Sequence, residues 1–122
     1  MGEIRVRAAR GAIRVDQDTA SRVLSATERL LGRLLERNEV VPDDIVSAFF
    51  TVTDDLRSAF PAEAARRMGL GRVPLLCAQE IPVQGSMRGV IRVLLQFHTA
   101  RGPAEVEHVY LDGAETLRDD LG

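Results

Sequence analysis

Lysine is absent from these 122 residues; all sixteen basic residues are arginine. That removes every mechanism needing a Schiff-base lysine, an amine nucleophile or a P-loop lysine. Tryptophan is absent too, and aromatic residues make up 4% of the chain, too few for a surface on which bases stack. A net charge of −2 gives no footprint for nucleic acid or an anionic membrane. The single cysteine, Cys77, has no partner for an internal disulfide, so a reducing, cytoplasmic setting is expected. No signal peptide and no apolar run long enough to span a bilayer is found. One cysteine and two histidines without ligand spacing argue against a metal site. Gly69-Leu70-Gly71 lacks the third glycine of a dinucleotide loop and reads as a helix end and turn.

What is present is a chain of 45% hydrophobic residues, enough for one domain with a substantial core. Its most informative position is Arg92, inside Val90-Ile91-Arg92-Val93-Leu94-Leu95-Gln96-Phe97. A continuous apolar run of this kind reads as a strand covered on both faces. An arginine there cannot shed its proton, so an anionic or strongly polar partner must meet it, from the protein or from a ligand.

Residues 3–15 alternate as a strand, with Ile4, Val6, Ala8, Arg10 and Ala12 on one face. The apolar parity then shifts to Ile13 and Val15, and Gly11 at the shift suggests a bulge or bend. Asp16-Gln17-Asp18-Thr19 offers N-cap residues. From Ala20 a stripe of Val23, Leu24, Thr27, Leu30, Leu31, Leu34 and Leu35 predicts a helix of about five turns, ending near Asn38. Residues 45–53 predict a second strand, broken by Asp54-Asp55. Pro61 opens a second helix that Gly69 closes. Strands are expected over 73–83, interrupted at Pro82, over 88–99 and over 107–111, with a short helical turn over 113–117. The order β-α-β-α-β-β-β predicts an α+β fold, a mixed sheet with two main helices on one face. The other face needs cover, and oligomerisation would supply it.

Arg92 and Arg10 share the apolar faces of two different strands. Each is either paired with an acid such as Glu80 or one of two convergent guanidiniums for a ligand bearing carboxylates or phosphates. Cys77-Ala78-Gln79-Glu80 follows an apolar segment, and Glu80 is the only acid over 73–83. Cys77 alone reads as a small hydrophobe, because neither His98 nor His108 stands in a triad context. Surface or packing roles suit both histidines. Tyr110 either packs or aims its hydroxyl at an anion.

Taken together, Ala9-Arg10-Gly11-Ala12, Phe60-Pro61-Ala62, Arg66, Val73-Pro74, Cys77-Ala78-Gln79-Glu80, Ile91-Arg92-Val93 and His108-Val109-Tyr110-Leu111 resemble the small monofunctional chorismate mutases of the Bacillus (AroH) type. Each motif is only a few residues long; their joint order and spacing, from residue 4 to residue 121, is specific. The resemblance implies a cytoplasmic homotrimer whose sheets pack as a pseudo-α/β barrel, with active sites in clefts between subunits. It implies a cofactor-free Claisen rearrangement of chorismate to prephenate, toward phenylalanine and tyrosine. It assigns Arg92 to the ether oxygen, Glu80 to the ring hydroxyl with help from Cys77, and Arg10 and Tyr110 to carboxylate. Phe60 and Arg66 would line the cleft mouth and Leu117 would close over the ligand. Leu75 and Leu76 would back the site, with Ala78 and Gln79 on the same lining segment.

This chain also departs from the pattern. Glu63 stands where some relatives carry a basic residue, Leu76 replaces a commoner threonine, and Ala78 is smaller than the usual methionine. The chain stops at Gly122, so the tail that caps the site in longer relatives is expected to be short, with Arg118 left as a lid charge. Two other readings are a non-catalytic trimer that binds a small carboxylate, and an imine deaminase of similar trimer architecture. The first need not keep Arg92 and Glu80 together; the second does not explain residues 77–80 joined to Arg92.

Overall fold

The computed structural model describes residues 2–121, with side chains through Leu117. Five strands form one sheet: β1 (Arg5–Arg14), β2 (Ile45–Val52), β3 (Leu75–Gln79), β4 (Val90–Thr99) and β5 (Val109–Leu111). Two helices, α1 (Ala20–Arg37) and α2 (Pro61–Arg67), complete the expected order, and a 3-10 stretch Ala114–Leu121 follows β5. The strand order is β3-β2-β4-β1-β5. β4 runs antiparallel to both neighbours, while β3 is parallel to β2 and β5 is parallel to β1. The last three strands are consecutive in the chain, yet no two of them are neighbours: β4 inserts between β1 and β2.

Local chemistry sets the helix ends as the sequence indicates. Thr19 is the N-cap of α1, its hydroxyl accepting from Arg22 N at 3.2 Å. Val23, Leu24, Thr27, Leu30, Leu31 and Leu34 form the buried stripe. Asn38 caps the other end and is itself buried. Its amide donates to Leu34 O at 3.0 Å and Glu107 O at 2.9 Å, and its Oδ1 accepts from Glu107 N at 2.8 Å. One side chain thus ties the end of α1 to the segment entering β5. Pro61 opens α2, and Gly69 takes φ +91 just beyond it.

The core lies between the helices and one face of the sheet. Ala9 and Ile13 of β1, Ala48 and Phe50 of β2, and Ile91, Val93, Leu95 and Phe97 of β4 meet the α1 stripe and Ala62 and Ala65 of α2. Gly11 also lies on this face, and no bulge occurs there: β1 pairs with β4 in unbroken register from Arg5↔Thr99 to Arg14↔Val90. A Cβ on Gly11 would come within 2.9 Å of Leu34 Cδ1 and 3.1 Å of Leu30 Cδ1, so the glycine admits α1 against the sheet. The bulge sits in β2, where the register shifts between Ile45 and Ser47 and the core-facing parity shifts with it.

The opposite face carries neither helix, so the 90–97 run is covered on one face only. All five strands are shorter than expected, the third most of all. The third covers only Leu75–Gln79 of 73–83, because Pro74 and Pro82 bracket it and neither can donate to a ladder. The fourth and fifth begin at Val90 and Val109. A second, small apolar cluster of Ala12, Val90, Tyr110 and Ala114, flanked by Met87 and Leu117, covers one end of the open face.

Candidate active site

Register places the candidate residues in rows across the open face. One row runs Leu76–Phe49–Leu94–Arg10. The next runs Ala78–Thr51–Arg92–Ala12–Tyr110. Arg10 and Arg92 are therefore neighbours on adjacent strands, as the shared-face reading requires. They line a cavity of about 350 Å3 with Tyr110, Thr51, Phe49 and Leu94. The Tyr110 hydroxyl is buried and has no hydrogen-bond partner among the described residues. Buried hydroxyls are normally satisfied, so this one is suited to an acceptor that enters the cavity.

Arg92 also faces a second cavity, of about 380 Å3, with Glu80, Arg88, Leu117 and the apolar loop residues Ile81 and Val83. Its Nε lies 3.7 Å from Glu80 Oε2, an ion-pair distance beyond hydrogen-bond reach. Both side chains keep some exposure, 30% for Arg92 and 28% for Glu80, so the pair is open to a ligand rather than sealed. Glu80 is held from two sides. Its backbone N donates to Val52 O at 2.8 Å, and its Oε2 accepts from the Thr51 hydroxyl.

Phe60, Cys77, Ala78 and Gln79 line a different cavity, of about 470 Å3, between β3 and the start of α2, with Glu63 at its edge. Cys77 pairs with Phe50 and packs on the main core, so its thiol is on the helix side of the sheet while Arg92 is on the other. Arg66 is exposed on α2 and Leu76 is exposed on the open face; neither lines any of these three cavities. Arg118 falls outside the described side chains.

The loop that carries Phe60 is anchored by charge. Asp18 Oδ1 accepts from the backbone N of Arg57 and of Ser58, each at 3.0 Å. The Ser58 hydroxyl first of all holds the Asp18 carboxyl below the usual range; desolvation opposes it, and the two N–H groups add to the lowering. On the Arg92 side, burial pushes the Asp55 carboxyl up. The Thr53 hydroxyl, the Gly89 N–H and the Arg88 charge together outweigh it and bring that carboxyl below its ordinary value. Arg88 also meets Asp54 at 2.6 Å.

Sequence reasoning missed Thr51, which lines the Arg10–Arg92 cavity, and the backbone support that exposed His108 gives Arg10. Thr51 shares the parity of Phe49 in β2, but nothing in the sequence places β2 beside β4, so its position opposite Arg92 was not legible. His108, read as a surface or packing residue, accepts the Arg10 N–H on Nδ1 at 2.9 Å, just before the β1–β5 ladder begins at Gly11↔Val109. No group of three or more His, Cys, Asp or Glu among the described residues is arranged to hold a metal. Among the described residues no helix is long and apolar enough to cross a membrane.

Comparison with known proteins identifies the family and the fold. Residues 6–121 match the family model for chorismate mutase type I. The chain is 50% identical over 117 residues to chorismate mutase AroH of Thermus thermophilus, spanning 95% of this chain and 96% of that one. It is 38% identical over 117 residues to chorismate mutase AroH of Bacillus subtilis strain 168, spanning 95% and 92%. The fold matches a solved chorismate mutase from Clostridium thermocellum with a TM-score of 0.89 at 44% identity, covering 90% of this chain and 98% of that one. The chain thus belongs to the chorismate mutase type I family.

Proposed function

We propose that this chain rearranges chorismate to prephenate, the branch step toward phenylalanine and tyrosine, as a cytoplasmic homotrimer. The observation that carries the reading is the setting of Arg92. It stands between two cavities, with Glu80 beside it in one and Arg10 and Tyr110 in the other. A [3,3] rearrangement breaks an ether C–O bond as a C–C bond forms within one molecule. It needs no proton in flight, covalent intermediate or cofactor. It needs a flexible dicarboxylate held in its compact form, and fixed charges aimed at the charge that develops.

The residues suit those demands. Arg10 and the Tyr110 hydroxyl take a carboxylate. Arg92 donates to the ether oxygen as negative charge grows there. Glu80 accepts from the ring hydroxyl and favours the ring as it becomes positive. Leu117 lies over the same cavity as Arg92 and Glu80. Cys77 contributes beside Phe60, Ala78 and Gln79 from the other cavity. A non-catalytic carboxylate binder would use Arg10 and Tyr110 but would leave Glu80 beside Arg92 without a purpose.

The division of the candidate residues supports the trimer. Phe60, Cys77, Ala78 and Gln79 line one cavity, and Arg10, Arg92 and Tyr110 line another. One protomer does not gather them around a single ligand; a second copy laid on the open face would, with Phe60 and Arg66 at the mouth.

The test is incubation with chorismate, followed by its loss of ultraviolet absorbance and identification of prephenate. Arg92→Ala should lower kcat by about 10²–10³-fold or more, the scale of losing a principal transition-state donor, with the assembly intact. Near-normal turnover by that variant would refute the assignment.

A further inference from the structure

We infer that Thr51 is a positioning residue for this reaction: its hydroxyl holds the Glu80 carboxylate in the direction from which it orients the substrate beside Arg92. The inference rests on the chorismate mutase reading and concerns the same site. Thr51 stands in register between Ala78 and Arg92, on the strand that separates β3 from β4. Its hydroxyl donates to Glu80 Oε2, the same oxygen that lies 3.7 Å from Arg92 Nε. Glu80 follows the last residue of β3 and is fixed in backbone by one bond, its N–H to Val52 O at 2.8 Å. Its side chain takes its direction from the Thr51 hydroxyl and the Arg92 charge, of which Thr51 is the hydrogen-bonded partner.

The physical consequence follows from what each donor would do alone. A carboxylate free to choose closes on a guanidinium, because charge-assisted hydrogen bonds are shorter and stronger than neutral ones. A closed Glu80–Arg92 pair would draw Arg92 away from the ether oxygen and cancel part of its field. The Thr51 hydroxyl gives Oε2 another partner and leaves the pair at ion-pair distance. Thr51 also lines the Arg10–Tyr110 cavity while Glu80 lines the other, so their hydrogen bond joins the two halves of the site across Arg92. The defect on losing it should fall on the chemical step rather than on carboxylate binding.

Steady-state kinetics with chorismate should therefore separate kcat from KM. Thr51→Val keeps the shape of the side chain and removes the donor. It should lower kcat about tenfold or more, as expected for losing a hydrogen bond to a charged group, with KM changed less than about threefold. Thr51→Ser keeps the hydroxyl and should restore kcat to within about threefold of the parent. Thermal melting of each variant shows that it is folded; if Thr51→Val does not fold, Thr51→Ser and Thr51→Ala are compared instead, with the Ala variant expected to show the kcat loss. An active parent with unchanged kcat in Thr51→Val, or an equal loss in Thr51→Ser, overturns the inference and leaves the functional reading standing. A parent inactive on chorismate overturns the functional reading and this inference with it.

Discussion

Arg92 is a cation that cannot be switched off. Its guanidinium is a planar fork of N–H donors, carried on β4 and turned to the open face beside Glu80. Those properties suit a reaction whose developing charge appears on an oxygen that was an uncharged ether a moment before. Lysine would keep the charge and lose the geometry: its ammonium is a compact, strongly hydrated point on a flexible stem. Arg92→Lys is accordingly expected to lower kcat by about 10²-fold or more, close to the loss from alanine, with the protein still folded. Initial rates on chorismate check this; retained activity would mean that positive charge alone suffices. The absence of lysine from the whole sequence leaves open whether composition or chemistry excluded it, and this variant separates the two.

At the scale of elements, the site depends on how β5 is seated against β1. Only three residue pairs join these strands, Gly11↔Val109, Ala12↔Tyr110 and Ile13↔Leu111. The seat is reinforced at its entry by His108, which accepts the Arg10 N–H, and by Asn38, which exchanges bonds with Glu107 in both directions. Asn38→Ala removes those bonds and leaves the partly buried Glu107 N–H and C=O without that partner, so it should cost about 2–3 kcal/mol of stability by chemical denaturation. A loss below about 1 kcal/mol would show that β5 is held by its apolar contacts instead. The helices, their caps and the order of elements were legible because hydrophobic period, N-cap chemistry and proline position are local signals. The bulge was misplaced because β1 is apolar on both faces near Gly11. Its glycine answers to the approach of Leu30 and Leu34, which lie far along the chain.

For the whole molecule, Arg10, Glu80, Arg92 and Tyr110 stand out as candidates from residue type and resemblance, yet their grouping depends on β4 running between β1 and β2, a long-range choice that no local pattern encodes. The same insertion produces the open face. Across it, Leu76 at 58% exposure, Phe49 at 40% and Leu94 at 36% form one apolar row, with Val6 at 50% on β1 beyond them. A contiguous apolar patch of this kind marks an association surface. Homotrimer formation would bury it and complete the cleft, so light scattering should give three times the chain mass of 13.4 kDa. Phe49→Glu puts a charge in the middle of the row, flanked by Leu76 and Leu94. The carboxylate would break the apolar row and, since Phe49 lines the cavity of Arg10 and Arg92, would compete for their guanidiniums, so the variant should run as a smaller species and lose chorismate turnover. Because Phe49 lies on the face opposite the main core, its circular dichroism should remain that of a folded α+β domain. A parent that is monomeric and fully active, or a Phe49→Glu variant that stays trimeric, would overturn the placement of the site between subunits.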